Sequence, residues 1–199
     1  MSQLITLSNP SKMPGPSYSI PATACKTGAK LAKIPGSICS TCYALKGNYR
    51  FPNVKNALES RLQALTLPDW VPTMVAIVRP HKYFRWHDSG DLQGLWHLKN
   101  IIKVCEQTPD TSHWLPTKES ALVKQYVQKG GVIPANLTIR ISASMIDSEH
   151  YTHIEGCLGS GVVSDAAKAT CPAPQQGNKC GDCRLCWEKQ AAFVTYAKH

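Results

Sequence analysis

Seven of the nine cysteines in the chain fall into two groups whose spacing suits metal binding. The second group is the denser one, with four thiols inside sixteen positions and three of them at intervals of three. Cysteine thiolates are the characteristic ligands of structural zinc and of iron–sulfur clusters, so this density indicates a metal site. The group consists of Cys171, which precedes Pro172, and of Cys180, Cys183 and Cys186.

Two metal chemistries compete for this second group. Structural zinc usually takes cysteines as C-x2-C pairs separated by a longer loop. A C-x2-C-x2-C run with a nearby Cys-Pro resembles instead the bacterial ferredoxin run, so the spacing favours a [4Fe-4S] cluster, with zinc as the alternative. Disulfides are not expected, because Met1 to Pro21 lacks the basic and apolar stretches of a secretory signal. We expect a reducing, cytoplasmic setting.

The first group, Cys25, Cys39 and Cys42, has the spacing C-x13-C-x2-C. Three thiolates leave a tetrahedral metal one ligand short, and an open position is typical of sites that do chemistry. The alternatives are a zinc site closed by a histidine, or both cysteine groups sharing one cluster. The sequence therefore predicts one or two metal centres. Cys105 lies in an apolar helical pattern and is expected in the core.

The formal charge of +9 is concentrated around the first cysteine group. Up to Arg61 there are eight basic residues and one acidic residue, Glu59, which gives that segment a charge of +7. Aromatic residues interleaved with lysines can stack unpaired bases while the lysines contact phosphates, although a solvated basic face is an equal alternative. The predicted nucleic-acid or substrate contacts are Lys30, Lys33, Tyr43, Lys46, Tyr49, Arg50, His87, Asp88 and Arg140.

Strand-like and helix-like segments alternate along the chain, which predicts an α/β fold, either a partial (β/α) barrel or an open, mainly parallel sheet. We expect a single domain over 1–199, with an α/β core over 1–170 and a cysteine-rich metal-binding tail over 171–199. No apolar stretch approaches the length of a membrane span, so a soluble protein is expected. Helices are predicted near 53–65, 70–78, 95–107, 119–128 and 185–197, and strands near 16–21, 83–87, 113–117, 137–142 and 161–164.

Polar residues at the carboxyl ends of the proposed strands form the expected functional surface, because ligands bind there in parallel sheets. His87 to Asp91 follow one strand, Thr117 to Glu119 the next, and Ser142 and Ser144 a third. For Asp91, capping of the following helix is an alternative.

A strand, a three-cysteine loop, a helix and a second strand ending in Ser89-Gly90-Asp91-Leu92 resemble the opening of a radical S-adenosylmethionine enzyme. That resemblance implies a [4Fe-4S] cluster with one open iron on the first cysteine group. It also implies contacts from Ser89, Gly90 and Asp91 to S-adenosylmethionine, and an auxiliary cluster on the second group. The first cysteine interval, thirteen residues instead of the usual three, departs from that family's loop.

Four stretches, 12–21, 39–47, 85–92 and 171–187, are similar to a phage and mobile-element family called gene product eighty-eight. The similarity covers most of the chain and implies the cytoplasm of a phage-infected or prophage-bearing bacterium. It implies no particular reaction.

The leading functional hypothesis is a phage-type iron–sulfur protein that binds nucleic acid, single-stranded by preference, through its basic face. One alternative is a radical S-adenosylmethionine-like enzyme that modifies a nucleotide or nucleic acid. Another is a zinc-clipped structural protein with a host protein as partner. The sequence indicates no oligomeric state.

Overall fold

Six parallel strands form one open sheet whose order follows the chain, with β1 and β6 at the edges. The computed structural model describes residues 5–198. Every neighbouring pair in the sheet is parallel, so all six carboxyl ends lie at the same edge. The prediction of an α/β fold with a mainly parallel sheet is confirmed. The strands are β1 (Ser17–Tyr18), β2 (Tyr83–Trp86), β3 (Ser112–Thr117), β4 (Leu137–Ser142), β5 (Leu158–Val163) and β6 (Phe193–Ala197).

Five helices flank this sheet, and the four longest begin and end within one residue of the predicted positions. In α4 the apolar period places Leu98, Ile101 and Cys105 in the core, each with 0% exposure, which confirms the prediction for Cys105. Within residues 5–198, no helix is both long and apolar enough to cross a bilayer. The helices are α1 (Lys26–Leu31), α2 (Pro52–Ala64), α3 (Trp70–Val78), α4 (Leu95–Gln107) and α5 (Ser120–Gln128).

The segment 185–197 is not the predicted helix. Its first part is irregular, and its end is β6, which pairs with β5 from Gly159↔Phe193 to Val163↔Ala197. The residues of β6 are Phe-Val-Thr-Tyr-Ala, a composition that fits a pleated, half-buried surface better than a helix. The edge of β5 offers backbone hydrogen-bond partners to this segment, and pairing with them makes the segment a strand.

One face of the sheet packs on the helices through an apolar core that also contains histidines. Phe84 and Trp86 of β2 and Leu115 of β3 contribute to this core, and none of the three is exposed. His113, also fully buried, accepts at Nδ1 from the Trp86 indole over 3.2 Å, and its Nε2 lies 2.9 Å from the Thr108 hydroxyl. His97 is equally buried in α4. Burial lowers the pKa of His113 to about 4 and that of His97 well below its usual value.

These core histidines predict that acid destabilises the fold. A histidine with a depressed folded-state pKa binds its proton more readily after unfolding, so its stability contribution is complete above about pH 6.5 and is lost as the pH falls toward 4. For His113 alone the loss approaches about 3 kcal/mol at the low end. Urea titrations of the wild type and of His113→Gln between pH 7 and 4 measure this slope, which should be shallower in the variant. The exposed control His150→Gln should keep the wild-type slope; equal slopes in all three proteins would contradict the assignment.

Candidate functional site

Both cysteine groups line one cavity of about 1060 Å³ at the carboxyl edge of the sheet. The loop after β1 supplies Cys25, Cys39 and Cys42, and the segment before β6 supplies Cys171, Cys180 and Cys186. Between them the ends of β2, β3 and β4 contribute polar side chains. The structure thus brings together two groups that are more than a hundred residues apart in sequence. The polar cavity-lining residues include His87, Asp88, Asp91, Thr117, Lys118 and Ser142.

In the first cysteine group, two of the thiols lie beside a glycine of α1. Cys25 immediately precedes α1, Cys39 lies in a 3₁₀ turn over Ile38–Thr41, and Cys42 ends that turn. A Cβ on Gly28 would lie only 3.0 Å from the Cys25 Cβ, and 3.8 Å and 3.6 Å from the Cys25 and Cys39 sulfurs, so a side chain there would crowd Cys25. Burial raises the pKa of Cys25 to about 12, and Asp91, Cys42 and Cys39 add to the effect. Thiols in this setting stay protonated unless a cation compensates their charge.

The first cysteine loop is attached to the sheet at two points. Glu119, just after β3, accepts from the Thr27 amide and the Thr27 hydroxyl, each over 2.8 Å, and so fixes the first turn of α1. Near the other end of the loop, the Ile38 amide donates over 2.9 Å to the carbonyl of Ser144, after β4. The positions of Cys25 and Cys39 are therefore set by the ends of β3 and β4.

Asp91 joins the ends of β2 and β3. Its carboxylate accepts from the Thr117 hydroxyl over 2.6 Å and from the amides of Lys118 and Leu92, each over 2.8 Å. Burial raises the pKa of Asp91 to about 6, and these hydrogen bonds oppose the rise. Asp91 does not cap α4, whose N-cap is Gly94 without a side-chain hydrogen bond. The carboxylate faces the cavity in an orientation fixed by three donors.

Ser89 and Gly90, the other predicted cofactor-binding residues, hold the same turn against β1. The Ser89 hydroxyl donates to the Ile20 carbonyl over 3.0 Å. Gly90 has a φ of +84°, and a Cβ there would meet the Ile20 carbonyl oxygen at 2.8 Å. Only glycine combines this backbone conformation with such a close approach. Both residues therefore shape the turn that presents Asp91.

Asp88, predicted to contact nucleic acid, anchors the loop that follows the first cysteine group. Its carboxylate accepts from the Ser17 hydroxyl over 2.7 Å and from the Tyr49 hydroxyl over 2.8 Å. The Tyr43 hydroxyl donates to the Asp88 carbonyl. His87, also predicted to bind substrate, is buried, and its Nδ1 hydrogen-bonds the Tyr18 carbonyl. The two tyrosines are thus tied by their hydroxyls to the end of β2.

The second cysteine group covers the face of the sheet that turns away from the helices. The Cys180 amide donates to the Lys12 carbonyl over 2.8 Å, and the Cys183 amide to the Cys180 carbonyl over 3.0 Å. The Cys186 sulfur lies 3.3 Å from the Tyr196 hydroxyl, and burial raises the pKa of Cys186 to about 12. Within residues 5–198, no three His, Cys, Asp or Glu side chains are arranged to hold one metal ion together.

Arg140 holds this segment in place and is not a surface residue. It is 0% exposed, which leaves no area for the predicted nucleic-acid contact. Its guanidinium donates over 2.7–3.2 Å to five backbone carbonyls, four of which belong to the C-terminal segment. The acceptors are Gly159, Leu185, Cys186, Glu188 and Ala191.

The remaining predicted basic contacts, Lys30, Lys33, Lys46 and Arg50, are all exposed on or beside the first cysteine loop. Two cavity residues that sequence reasoning missed are Arg85 and Trp114. The available signal was their position in β2 and β3: each alternates with residues that face the helical core, so each must face the opposite side of the sheet.

The fold and the cavity together define an α/β protein with a parallel sheet and a cysteine-lined cleft at the carboxyl ends of its strands. The sequence model described as gene product 88 matches residues 2–189, and the chain belongs to this family. The predicted phage-family resemblance is thereby confirmed. No curated protein and no solved structure matches the chain. The likeness to radical S-adenosylmethionine enzymes stays a prediction.

The hydrogen bonds of Arg140 predict that its removal loosens the second cysteine group. Arg140→Met keeps most of the side-chain volume but leaves five carbonyls without their donor, and we expect a loss of about 3 kcal/mol or more in unfolding free energy. Hydrogen exchange over residues 183–192 should rise together with the reactivity of the Cys186 thiol. Arg79→Met, at an exposed position, is the matched control. Unchanged exchange in this segment would contradict the structural role.

Proposed function

We propose that this protein is an iron–sulfur enzyme of the radical S-adenosylmethionine type, with its substrate bound in the cavity between the two cysteine groups. The observation that carries the proposal is the position of three thiols on the loop after the first strand, where they open onto a cavity of about 1060 Å³. A parallel sheet whose strand order follows the chain has the order of a β/α barrel, and such folds bind ligands at this edge.

The first cysteine group offers three thiols on one loop that open onto the cavity. A structural zinc site would need a fourth protein ligand to close its tetrahedron. A [4Fe-4S] cubane takes one thiolate on each of three irons, and this number matches the three cysteines. Three ligands leave the fourth iron open.

The chain's own residues would orient a cofactor at that open position. An iron–sulfur cluster of this kind supplies the electron that cleaves S-adenosylmethionine. Asp91, held by Thr117 and the Lys118 amide, presents a carboxylate suited to the amino group of S-adenosylmethionine. One of its oxygens accepts a single hydrogen bond in the protein and retains acceptor capacity.

The second cysteine group is proposed to hold an auxiliary cluster. Its four thiols belong to a segment that lies over the sheet and is fastened by Arg140. Three of the four, Cys171, Cys180 and Cys186, face the same cavity as the first group. Ligands on an ordered wall of the cavity would place this cluster close to the bound substrate.

Nucleic-acid binding by the basic rim is the second candidate function, and it is compatible with the first. Five basic residues on or beside the first cysteine loop are exposed, namely Lys26, Lys30, Lys33, Lys46 and Arg50, while the only acidic residue up to position 61 is Glu59. Apolar side chains of Leu45 and Phe51 are also exposed there, at 47% and 55%. Such a rim would guide a nucleotide or a single strand to the cavity.

Anaerobic purification with measurement of iron, sulfide and zinc tests the cluster assignment. We expect absorbance at about 400 nm and about eight irons per chain for two clusters. Cys39→Ser should lower the iron content by about half, as should Gly28→Val, whose side chain would crowd Cys25. Cys157→Ser, outside both groups, should retain full loading. Stoichiometric zinc in a colourless protein would support the zinc-clipped alternative and contradict the proposal.

The reaction itself is tested by reducing the loaded protein with S-adenosylmethionine present. Formation of 5′-deoxyadenosine is expected in the wild type and should fall strongly in Asp91→Asn, whose iron content should not change. If fully loaded, reduced protein forms no 5′-deoxyadenosine, the enzymatic assignment is wrong.

Binding of single-stranded oligonucleotides over a range of salt concentrations tests the basic rim. The logarithm of the binding constant should fall with a slope of about −0.7 for each phosphate neutralised. The double variant Lys46→Glu/Arg50→Glu should bind more weakly and with a shallower slope, whereas Lys124→Glu on α5 should behave like the wild type. Binding that does not depend on salt would refute this role.

A further inference from the structure

We propose that Arg85 and Trp114 form an oxyanion-binding subsite in the cavity, and that this subsite takes the phosphate or carboxylate group of the substrate. The inference rests on the proposed function for the identity of the cavity as a substrate site. It adds the chemical class of the ligand, a molecule with an anionic group, at residues that neither cysteine group includes.

The guanidinium of Arg85 lies on the cavity wall between the sheet and the N-terminal segment. Phe84 and Trp86, its neighbours in β2, face the helical core, so Arg85 faces the opposite side. The guanidinium carbon lies 4.4 Å from the centre of the Trp114 ring, and Nη1 lies 3.6 Å from the Met13 sulfur. This cation–π contact with the indole holds the guanidinium at a defined position over the ring.

The groups that contact this cation are neutral. These groups are the Trp114 face, the Met13 thioether and the hydroxyl of Tyr43, which hydrogen-bonds Arg85. Asp88, the carboxylate that acts on Arg85 through space, already accepts hydrogen bonds from Ser17 and Tyr49. In the described part of the chain Arg85 forms no ion pair. Burial alone would lower the pKa of Arg85, but its surroundings raise it, and a bound anion would add a directly hydrogen-bonded partner for the cation.

Two hydrogen-bond donors at the same place lack an acceptor. Among residues 5–198, neither the Nε of Arg85 nor the Nε1 of Trp114 has a partner, and both atoms are buried. The other three buried tryptophans all have one. Trp70 donates to the Tyr18 hydroxyl over 3.1 Å, Trp86 to His113 over 3.2 Å, and Trp187 to the Phe84 carbonyl over 3.0 Å. Donors without an acceptor are rare in protein interiors, and here two of them belong to side chains that contact each other.

The chemistry of this pair selects an oxyanion. A guanidinium offers several N–H groups in one plane, which match the oxygens of a phosphate or a carboxylate. The adjacent indole adds a further donor without adding charge. Since Cys42 and Cys180 line the same cavity, an anionic group held at Arg85 would place the rest of the substrate between the two cysteine groups.

Nuclear magnetic resonance titration of the ¹⁵N-labelled full-length protein tests the subsite directly. Inorganic phosphate and adenosine monophosphate are the phosphate probes, acetate is the carboxylate probe, and adenosine is the uncharged control. The indole N–H signal of Trp114, identified by its loss in Trp114→Phe, should shift to saturation with an anion and not with adenosine. The indole signals of Trp70 and Trp86, which lie in the helical core, serve as internal references and should stay in place.

Substitution of the arginine provides the second measurement. Arg85→Gln should weaken binding of the effective anion by about tenfold or more, the range of a charge-assisted hydrogen bond. Arg79→Gln, at an exposed position, should bind like the wild type, and the indole signals of Trp70 and Trp86 report whether each variant is folded. A response to phosphate alone, or to acetate alone, supports the subsite and identifies the substrate's anionic group.

Absence of a saturable Trp114 shift with every anion overturns the subsite, as does unchanged affinity in folded Arg85→Gln. The titration uses neither S-adenosylmethionine nor a reductant. A negative titration would reject the anion subsite without bearing on the 5′-deoxyadenosine assay. A negative 5′-deoxyadenosine assay would reject the enzymatic proposal without bearing on an observed anion site.

Discussion

Parallel pairing of all six strands is the constraint on which the rest of the structure depends. Because every strand runs in the same direction, each carboxyl end and the loop after it lie at one edge of the sheet. The loop after β1 and the segment before β6 are distant in sequence, yet this topology makes them opposite walls of one cavity. No direct contact between the two cysteine groups is needed to bring them together.

Most of the charged groups at this edge form hydrogen bonds that hold the fold together. Asp88, Asp91 and Glu119 each accept hydrogen bonds that connect a loop to a strand end, and Arg140 uses its donors on carbonyls of the C-terminal segment. Buried thiols with raised pKa values complete the lining. Metal binding to such thiols releases protons and couples to the ordering of the surrounding chain. Hydrogen bonds from loops to strand ends thus hold the walls of the cavity in place.

The sequence predicts the elements of this fold better than it predicts the environment of single side chains. Helix α4 lies at its predicted position because Leu98, Ile101, Ile102 and Cys105 recur at helical spacing on the face that it buries. The end of the chain was predicted as a helix because the pairing partner of β6, strand β5, is invisible to local periodicity. Arg140 was predicted as a nucleic-acid or substrate contact, since a sequence does not show five backbone carbonyls converging on one guanidinium. Arg85 was missed for the converse reason: its significance lies in a buried Nε donor that has no acceptor among residues 5–198.

The packing of Trp187 has an optical consequence. Its indole follows Cys186 directly in the chain and lies 5.2 Å, ring centre to ring centre, from that of Trp114. Excitation of Trp114 or Trp187 by light therefore lies next to the second cysteine group. A metal centre that absorbs in the range of tryptophan emission would quench this fluorescence by energy transfer, whereas a colourless metal centre would not. The fluorescence of the intact protein can thus report, residue by residue through single tryptophan replacements, what occupies the thiols beside it.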